Sequence, residues 1–134
     1  MKLNFRHISV LAAAVVTLTL SSCEEEVVFN IPAVTQPEAA STVTGSSIDI
    51  SFPFAAEAGF QSASVTATNG TATIKTSGTV GSTSGTIVVS YTAGTTVGAG
   101  AVTLTVTDAE GRASNATAVI TVAAEQKEFV VSSN

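Results

Sequence analysis

Side chains that could catalyse a reaction are few in this sequence of 134 residues, and they are widely spaced. The single histidine is His7 and the single cysteine is Cys23. A Ser–His or Cys–His nucleophilic system and a histidine-ligated zinc site all need an imidazole. If residues 1–22 are removed during export, no imidazole remains and no general base can be identified. We therefore predict that the chain is not an enzyme and that it has no cofactor.

Scattered carboxylates are the remaining candidates for chemistry. A glycosidase needs two facing carboxyl groups, and a calcium site needs six to eight converging oxygens. Asp108 and Glu110 belong to the stretch Asp108-Ala109-Glu110-Gly111, which is typical of a turn, and Asp49 lies on the polar face of a predicted strand. Glu57 stands alone in its stretch. We predict neither a carboxylate pair nor a metal site.

The first 22 residues have the layout of a secretory signal. Lys2 and Arg6 form a short positive region, and an uncharged run of 13 residues follows from Ile8 to Leu20. A helix needs roughly 20 residues to cross a bilayer, so a permanent membrane span is the weaker interpretation. Residues 1–22 are predicted to be a cleaved signal peptide.

The end of this signal, Leu20-Ser21-Ser22-Cys23, resembles the lipobox of bacterial lipoproteins. The resemblance implies that Cys23 carries acyl chains, palmitate among them, and becomes the first residue of the mature protein. Two or three acyl chains hold a protein on a membrane durably, whereas one chain binds marginally. A plain signal peptide with a chance cysteine is the alternative. The predicted localisation is the bacterial cell envelope, with the outer membrane favoured.

An acidic cluster, Glu24-Glu25-Glu26, follows the cysteine directly. It resembles the export signal of Bacteroidota-type surface lipoproteins, which implies exposure on the cell surface. Two alternatives stay open: a solvated charge run in a tether, and retention in the inner membrane as in other Gram-negative bacteria.

Composition excludes some partners of the mature chain. Removing residues 1–22 leaves 112 residues with ten acidic side chains and three basic ones, Lys75, Arg112 and Lys127. There is no basic stripe for nucleic acid and no polybasic patch for anionic lipids. The acyl chains are therefore the expected membrane contact, and nucleic-acid binding is excluded.

Apolar and polar side chains alternate with a period of two from about residue 41 onward. Such alternation puts one face of each strand on a core and the other in water. The inward sets are Ile48, Ile50 and Phe52; Ala63, Val65 and Ala67; Ala72 and Ile74; Ile87, Val89 and Tyr91; Val102, Leu104 and Val106; and Ala118, Ile120 and Val122. Six or seven short strands in one domain predict an all-β antiparallel sandwich.

Two turn signals accompany these strands. Asn69-Gly70 is a strong signal for a type I′ hairpin, because both central residues of that turn need a positive φ. Asp108 is suited to open a type I turn that Gly111 closes in a left-handed conformation.

The runs Gly59–Ala72, Tyr91–Gly94 and Gly98–Asp108 are similar to bacterial immunoglobulin-like modules, which are related in form to cadherin-like and PKD-type domains. The likeness covers about residues 41–123 and implies a single immunoglobulin-like sandwich of about seven strands. It says almost nothing about activity, because such sandwiches serve many functions.

A glycan-binding site would need exposed aromatic side chains, because sugars stack on the faces of aromatic rings. Phe52 and Tyr91 are in phase with the predicted core. Phe54 and Phe60 flank the loop 53–59 and are the candidates for ligand binding, with packing at the end of the sandwich as the alternative.

The predicted organisation is a signal peptide (1–22), a lipidated cysteine with an extended tether that can include one edge strand (23–40), the sandwich (about 41–123) and a tail (124–134). Pro32 and Pro37 disfavour regular structure in the tether. The tail is a frayed end, a docking strand or a further edge strand. The expected function is a non-catalytic accessory module that binds or assembles with an envelope protein complex. A glycan-binding lipoprotein of a polysaccharide-uptake system is the alternative.

Overall fold

The two-residue alternation corresponds to six long strands of the computed structural model, which describes residues 27–126. Each predicted inward set lies on one of these strands. Two shorter strands precede them, so the described part of the chain holds eight: β1 (Ala33–Val34), β2 (Ala40–Val43), β3 (Ser47–Ala55), β4 (Phe60–Thr68), β5 (Gly70–Thr76), β6 (Ser84–Ala93), β7 (Gly98–Asp108) and β8 (Ala113–Ala123).

The strands form two sheets of four, with the orders β1-β3-β6-β5 and β2-β8-β7-β4. In immunoglobulin-like domains, strands A, B, E and D face strands C, F and G, and this chain has the same order with β2 added beside β8. The predicted immunoglobulin-like sandwich is therefore confirmed. Among residues 27–126, no helix is long and apolar enough to cross a membrane.

A single core lies between the sheets. The central strands are β3 and β6 in one sheet and β7 and β8 in the other. Most of their inward side chains are almost completely buried, because each of these strands has another strand on both sides. The largest fully buried side chains are Tyr91, Phe52, Phe60, Ile87, Leu104 and Ile120. Inward side chains of the outer strands β4 and β5, such as Val65 and Ile74, are only partly buried.

The sandwich begins earlier than the predicted residue 41. β1 lies wholly within the predicted tether and pairs with β3, Ala33 opposite Ala55. β2 also starts before residue 41 and runs parallel to β8, so one pair departs from the antiparallel prediction. Pro37 lies between the two short strands, and the prolines therefore limit the length of these strands without preventing them.

The hairpin predicted at Asn69-Gly70 is wrong. β4 pairs with β7 and β5 pairs with β6, so this dipeptide connects one sheet to the other. The positive φ values are present, 51° at Asn69 and 153° at Gly70. Alternation shows which face of a strand is buried. A β4–β5 hairpin and a connection from one sheet to the other would bury the same faces of these strands, so alternation does not distinguish them.

The turn predicted at Asp108–Gly111 is confirmed. The amide of Gly111 donates to the Asp108 carbonyl at 3.0 Å, and Gly111 has a φ of 82°. The Asp108 amide then donates to the Arg112 carbonyl at 2.9 Å, which closes the β7–β8 hairpin.

Candidate functional site

The two aromatic candidates for ligand binding lie inside the protein. Phe54 is 5% exposed and Phe60 is 2% exposed, and their ring centroids are 5.2 Å apart. A Cβ atom placed on Gly85 would lie only 2.9 Å from the Phe54 ring, so the chain packs directly on that ring. The rings cap the core, and they offer no free face on which a sugar could stack.

The sandwich has two ends with different loops. The entry end contains Phe29–Asn30 and the loops around Glu57, around Val80 and from Ala109 to Arg112. The far end contains the β2–β3 loop around Gly45, the Asn69-Gly70 connection and the β6–β7 loop from Gly94 to Val97. β7 has eleven residues, so at about 3.3 Å per residue the ends are about 35 Å apart.

Asp108 is the one buried acidic side chain among residues 27–126, with 0% exposure. Its Oδ1 accepts hydrogen bonds from the backbone amides of Glu110 and Arg112, both at 2.9 Å. Its Oδ2 accepts a hydrogen bond from Nε of Arg112 at 3.0 Å and lies 2.9 Å from Nη2 of the same guanidinium in an ion pair. Burial raises the pKa of Asp108, but the hydrogen bonds from Arg112 and Glu110 outweigh burial and lower the pKa overall. The carboxylate is thus charged and fully paired.

Arg112 also contacts the segment before β1. Its Nη1 donates to the Phe29 carbonyl, and its Nη2 donates to the Asn30 carbonyl at 3.1 Å. Glu57 holds the same segment from the other side, since its two carboxylate oxygens accept from the backbone amide and the side-chain amide of Asn30, each at 2.9 Å. These two bonds lower the pKa of Glu57. We call Phe29, Asn30, Glu57 and Arg112 the entry clasp.

At the far end, neutral hydrogen bonds replace charges. The hydroxyl of buried Tyr91 donates to the Asn69 carbonyl, and burial raises the pKa of Tyr91. The Asn69 side chain donates to the Thr96 carbonyl at 2.8 Å, which ties two loops together. Gly70 lies so close to β6 that a Cβ atom would be 2.3 Å from the Thr92 carbonyl oxygen.

Four strands lie at sheet edges, and they differ in how well they are protected. β1 and β2 have two and four residues. β5 carries Lys75 and a register shift between Ile74 and Thr76. β4 has nine residues without a charge or a proline, and its register with β7 is regular from Ser62 to Thr68. Within the described part of the chain, nothing pairs with the outer edge of β4.

The outer face of the β4-containing sheet is lined with small hydroxyl side chains. Ser62, Ser64 and Thr66 of β4 are opposite Thr107, Thr105 and Thr103 of β7. Thr103 and Thr117 share a hydrogen bond of 2.9 Å between their hydroxyl oxygens. Apart from exposed Val119 of β8, the large side chains of this face are polar and uncharged, as expected for a sheet with one side in water.

The remaining acids form no cluster. Asp49 pairs with Lys75 at 2.6 Å on the solvent face of the other sheet. Across residues 27–126, no group of three metal-binding side chains and no pocket is found. Cys23 and the acidic cluster Glu24–Glu26 lie outside the described residues.

Sequence reasoning missed the entry clasp. Asn30 and Glu57 are 27 positions apart, and Phe29 and Arg112 are 83 apart, so no local motif joins them. The only signal was that Arg112 is one of two basic residues in 27–126 and follows the Asp108 turn directly.

Comparison with known proteins supports the fold. No protein-family model and no curated protein matches the sequence. Among solved structures, the chain is similar to "Chimeric titin Z1Z2 functionalized with a KLER exogenous peptide from decorin", with a TM-score of 0.52 and 20% sequence identity. The match covers 74% of this chain and 100% of that one. At this identity the likeness shows the immunoglobulin-like fold alone.

Proposed function

We propose that the chain is a non-catalytic, lipid-anchored module of the bacterial cell envelope that binds a partner protein by adding a strand to the outer edge of β4. In this proposal Cys23 carries the acyl chains, and Glu24–Glu26 direct a Bacteroidota-type lipoprotein to the cell surface. The observation that carries the binding role is the long, uncharged edge of β4, beside which no strand of residues 27–126 lies.

The physical basis is the row of backbone amides and carbonyls along such an edge. An edge strand is a template for another strand unless charge, proline, a bulge or short length protects it. β5 has two of these protections, Lys75 and a register shift between Ile74 and Thr76. β4 has a register shift only at its start, between Phe60 and Ser62, and it has no charge and no proline. Val65 of β4 is also only partly buried, so an added strand would cover apolar surface as well as satisfy backbone groups.

The edge is tested with a photo-crosslinking amino acid in the full-length protein in its native cells. The reactive residue replaces exposed Thr66 on β4 or, as the matched control, exposed Thr73 on β5. We expect a crosslinked species of one defined mass from position 66 and none from position 73. Adding Ser64→Lys next to the crosslinker is expected to reduce that species severalfold, because lysine on an edge disfavours strand pairing. Equal crosslinking at both positions, or none at position 66, would contradict the binding role.

The anchor is tested separately. Metabolic labelling with an alkyne fatty acid is expected to mark the wild-type chain and to be lost in Cys23→Ser. Retention of the label by this variant would place the acyl chain elsewhere and reject the assignment of Cys23.

A further inference from the structure

A continuous series of contacts joins the loops of the entry end. The Gly81 amide donates to the Phe60 carbonyl, and the Phe60 amide donates to the Ser82 carbonyl, both at 2.8 Å. The Ala109 amide donates to the Gly59 carbonyl at 2.9 Å. Asp108 and Arg112 close the turn that contains Ala109. These bonds therefore place the loop around Val80 on the same surface as Arg112 and the rest of the entry clasp.

Exposed apolar side chains are present on this surface. Val80 is 67% exposed at the β5–β6 loop, and Ile31 is 64% exposed directly after Asn30. Val27 and Val28, which precede the clasp, are 72% and 83% exposed. Four aliphatic side chains are therefore open to solvent at or beside the end where the chain enters the sandwich.

The length of chain before the clasp limits how far this end can be from an anchored cysteine. Asn30 is seven positions after Cys23. Seven extended residues reach at most about 25 Å. The clasp binds the segment at Phe29–Asn30, so the entry end, and not the far end about 35 Å away, is the part held near the anchor.

We propose that the entry end faces the lipid bilayer and contacts its surface through Val80 and Ile31, with the far end pointing away. This inference rests on the proposed acylation of Cys23. Glu57 and Glu110 lie exposed at the same end, and their charge disfavours an anionic surface. The expected partner is therefore a zwitterionic lipid surface, where apolar side chains settle at the boundary of headgroups and acyl chains.

The experiment uses the acylated full-length chain in phosphatidylcholine vesicles that contain a nitroxide-labelled lipid. Cys23 is the only cysteine, so an introduced cysteine is the single free thiol of the acylated protein. An environment-sensitive fluorophore is attached through Val80→Cys at the entry end or, as a matched control, through Val97→Cys at the far end. Val97 is also exposed, at 58%. Urea unfolding of both variants checks that they fold as the unlabelled protein does.

We expect severalfold stronger quenching by the nitroxide lipid at position 80 than at position 97. Equal quenching, or stronger quenching at position 97, on a chain that sediments with the vesicles would overturn the orientation and leave the anchor intact. A chain that stays in solution, with two free thiols found by mass spectrometry, would reject the anchor itself and the orientation with it.

Discussion

The two ends of the sandwich are stabilised by different interactions. At the entry end, Arg112 makes charge-assisted hydrogen bonds to Asp108 and to Phe29–Asn30, and Glu57 makes them to Asn30. At the far end, the bonds are neutral and Gly70 fits against β6 with no room for a side chain. The difference shows that one immunoglobulin-like domain can hold an incoming chain segment by charge at one end and a sheet-to-sheet connection by neutral bonds and close packing at the other.

The charge-assisted hydrogen bonds at the entry end fix the direction of the segment before β1. Charge-assisted hydrogen bonds are roughly twice as strong as neutral ones, and they give direction to the groups they join. Glu57 bonds Asn30, and Arg112 bonds Phe29 and Asn30 from a different loop. The segment before β1 therefore has a defined course on the surface. A short anchor attached to that segment would restrict the orientation of the whole domain.

The largest expected effect is at the far end, in Gly70→Ala. The added methyl group would lie 2.3 Å from a backbone oxygen of β6 and 2.8 Å from the Tyr91 ring, so β5 and β6 would have to separate locally. We expect a loss of at least about 3 kcal/mol in the free energy of unfolding, measured by urea denaturation.

Gly45→Ala is the matched control for that substitution. Gly45 also has a positive φ, 76°, but nothing lies within 4 Å of its Cβ position. The left-handed backbone alone should cost about 1–2 kcal/mol. If both variants lost the same free energy, close packing at Gly70 would have no special role, and the proposed difference between the ends would be weakened.

A smaller effect is expected at the entry end, in Asp108→Asn. The amide keeps the shape of the side chain but removes the negative charge that faces the Arg112 guanidinium. We expect the Tm to fall by about 5–15 °C, because a buried hydrogen-bonded network loses its charged acceptor. The control is Asp49→Asn, which breaks an exposed pair with Lys75 and should change the Tm by less than about 3 °C. Equal shifts in the two variants would show that the buried network contributes no more than a surface pair.

Much of the fold followed from local pattern. The alternating sets placed the side chains of β3 through β8 on the correct face, because a period of two leaves only one way to bury an apolar row. The Asp108 turn was also predictable, since its aspartate and glycine are within four residues of each other. By contrast, the sheet partner of β4 depends on contacts with Val102–Thr107, about 40 positions away, and Asn69-Gly70 fits a hairpin and a sheet-to-sheet connection equally well.

The candidate site was much less predictable. Phe54 is in phase with Phe52 on β3, so its burial could have been read from alternation, yet the neighbouring proline and loop suggested exposure. The entry clasp joins residues from three separate stretches, and no spacing rule connects them. The free edge of β4 is defined by which strands lie beside it, which is a property of the completed sheets.

The smallest expected effect is the pH dependence at the entry end. In the folded protein, hydrogen bonds lower the pKa of Asp108, and in the unfolded chain the carboxyl has its ordinary value of about 3.9. Between the two values the unfolded state binds more protons, so stability falls as the pH falls. Asp108→Asn lacks this titration. The difference in urea midpoint between wild type and variant should therefore be constant from pH 7 to about pH 5 and should shrink below about pH 4. The pKa of Glu57 is lowered as well, so Glu57→Gln in the Asp108→Asn background should flatten the remaining acid dependence. A difference that grew on acidification would mean that Asp108 is protonated in the folded protein, which its three hydrogen bonds and its ion pair with Arg112 oppose.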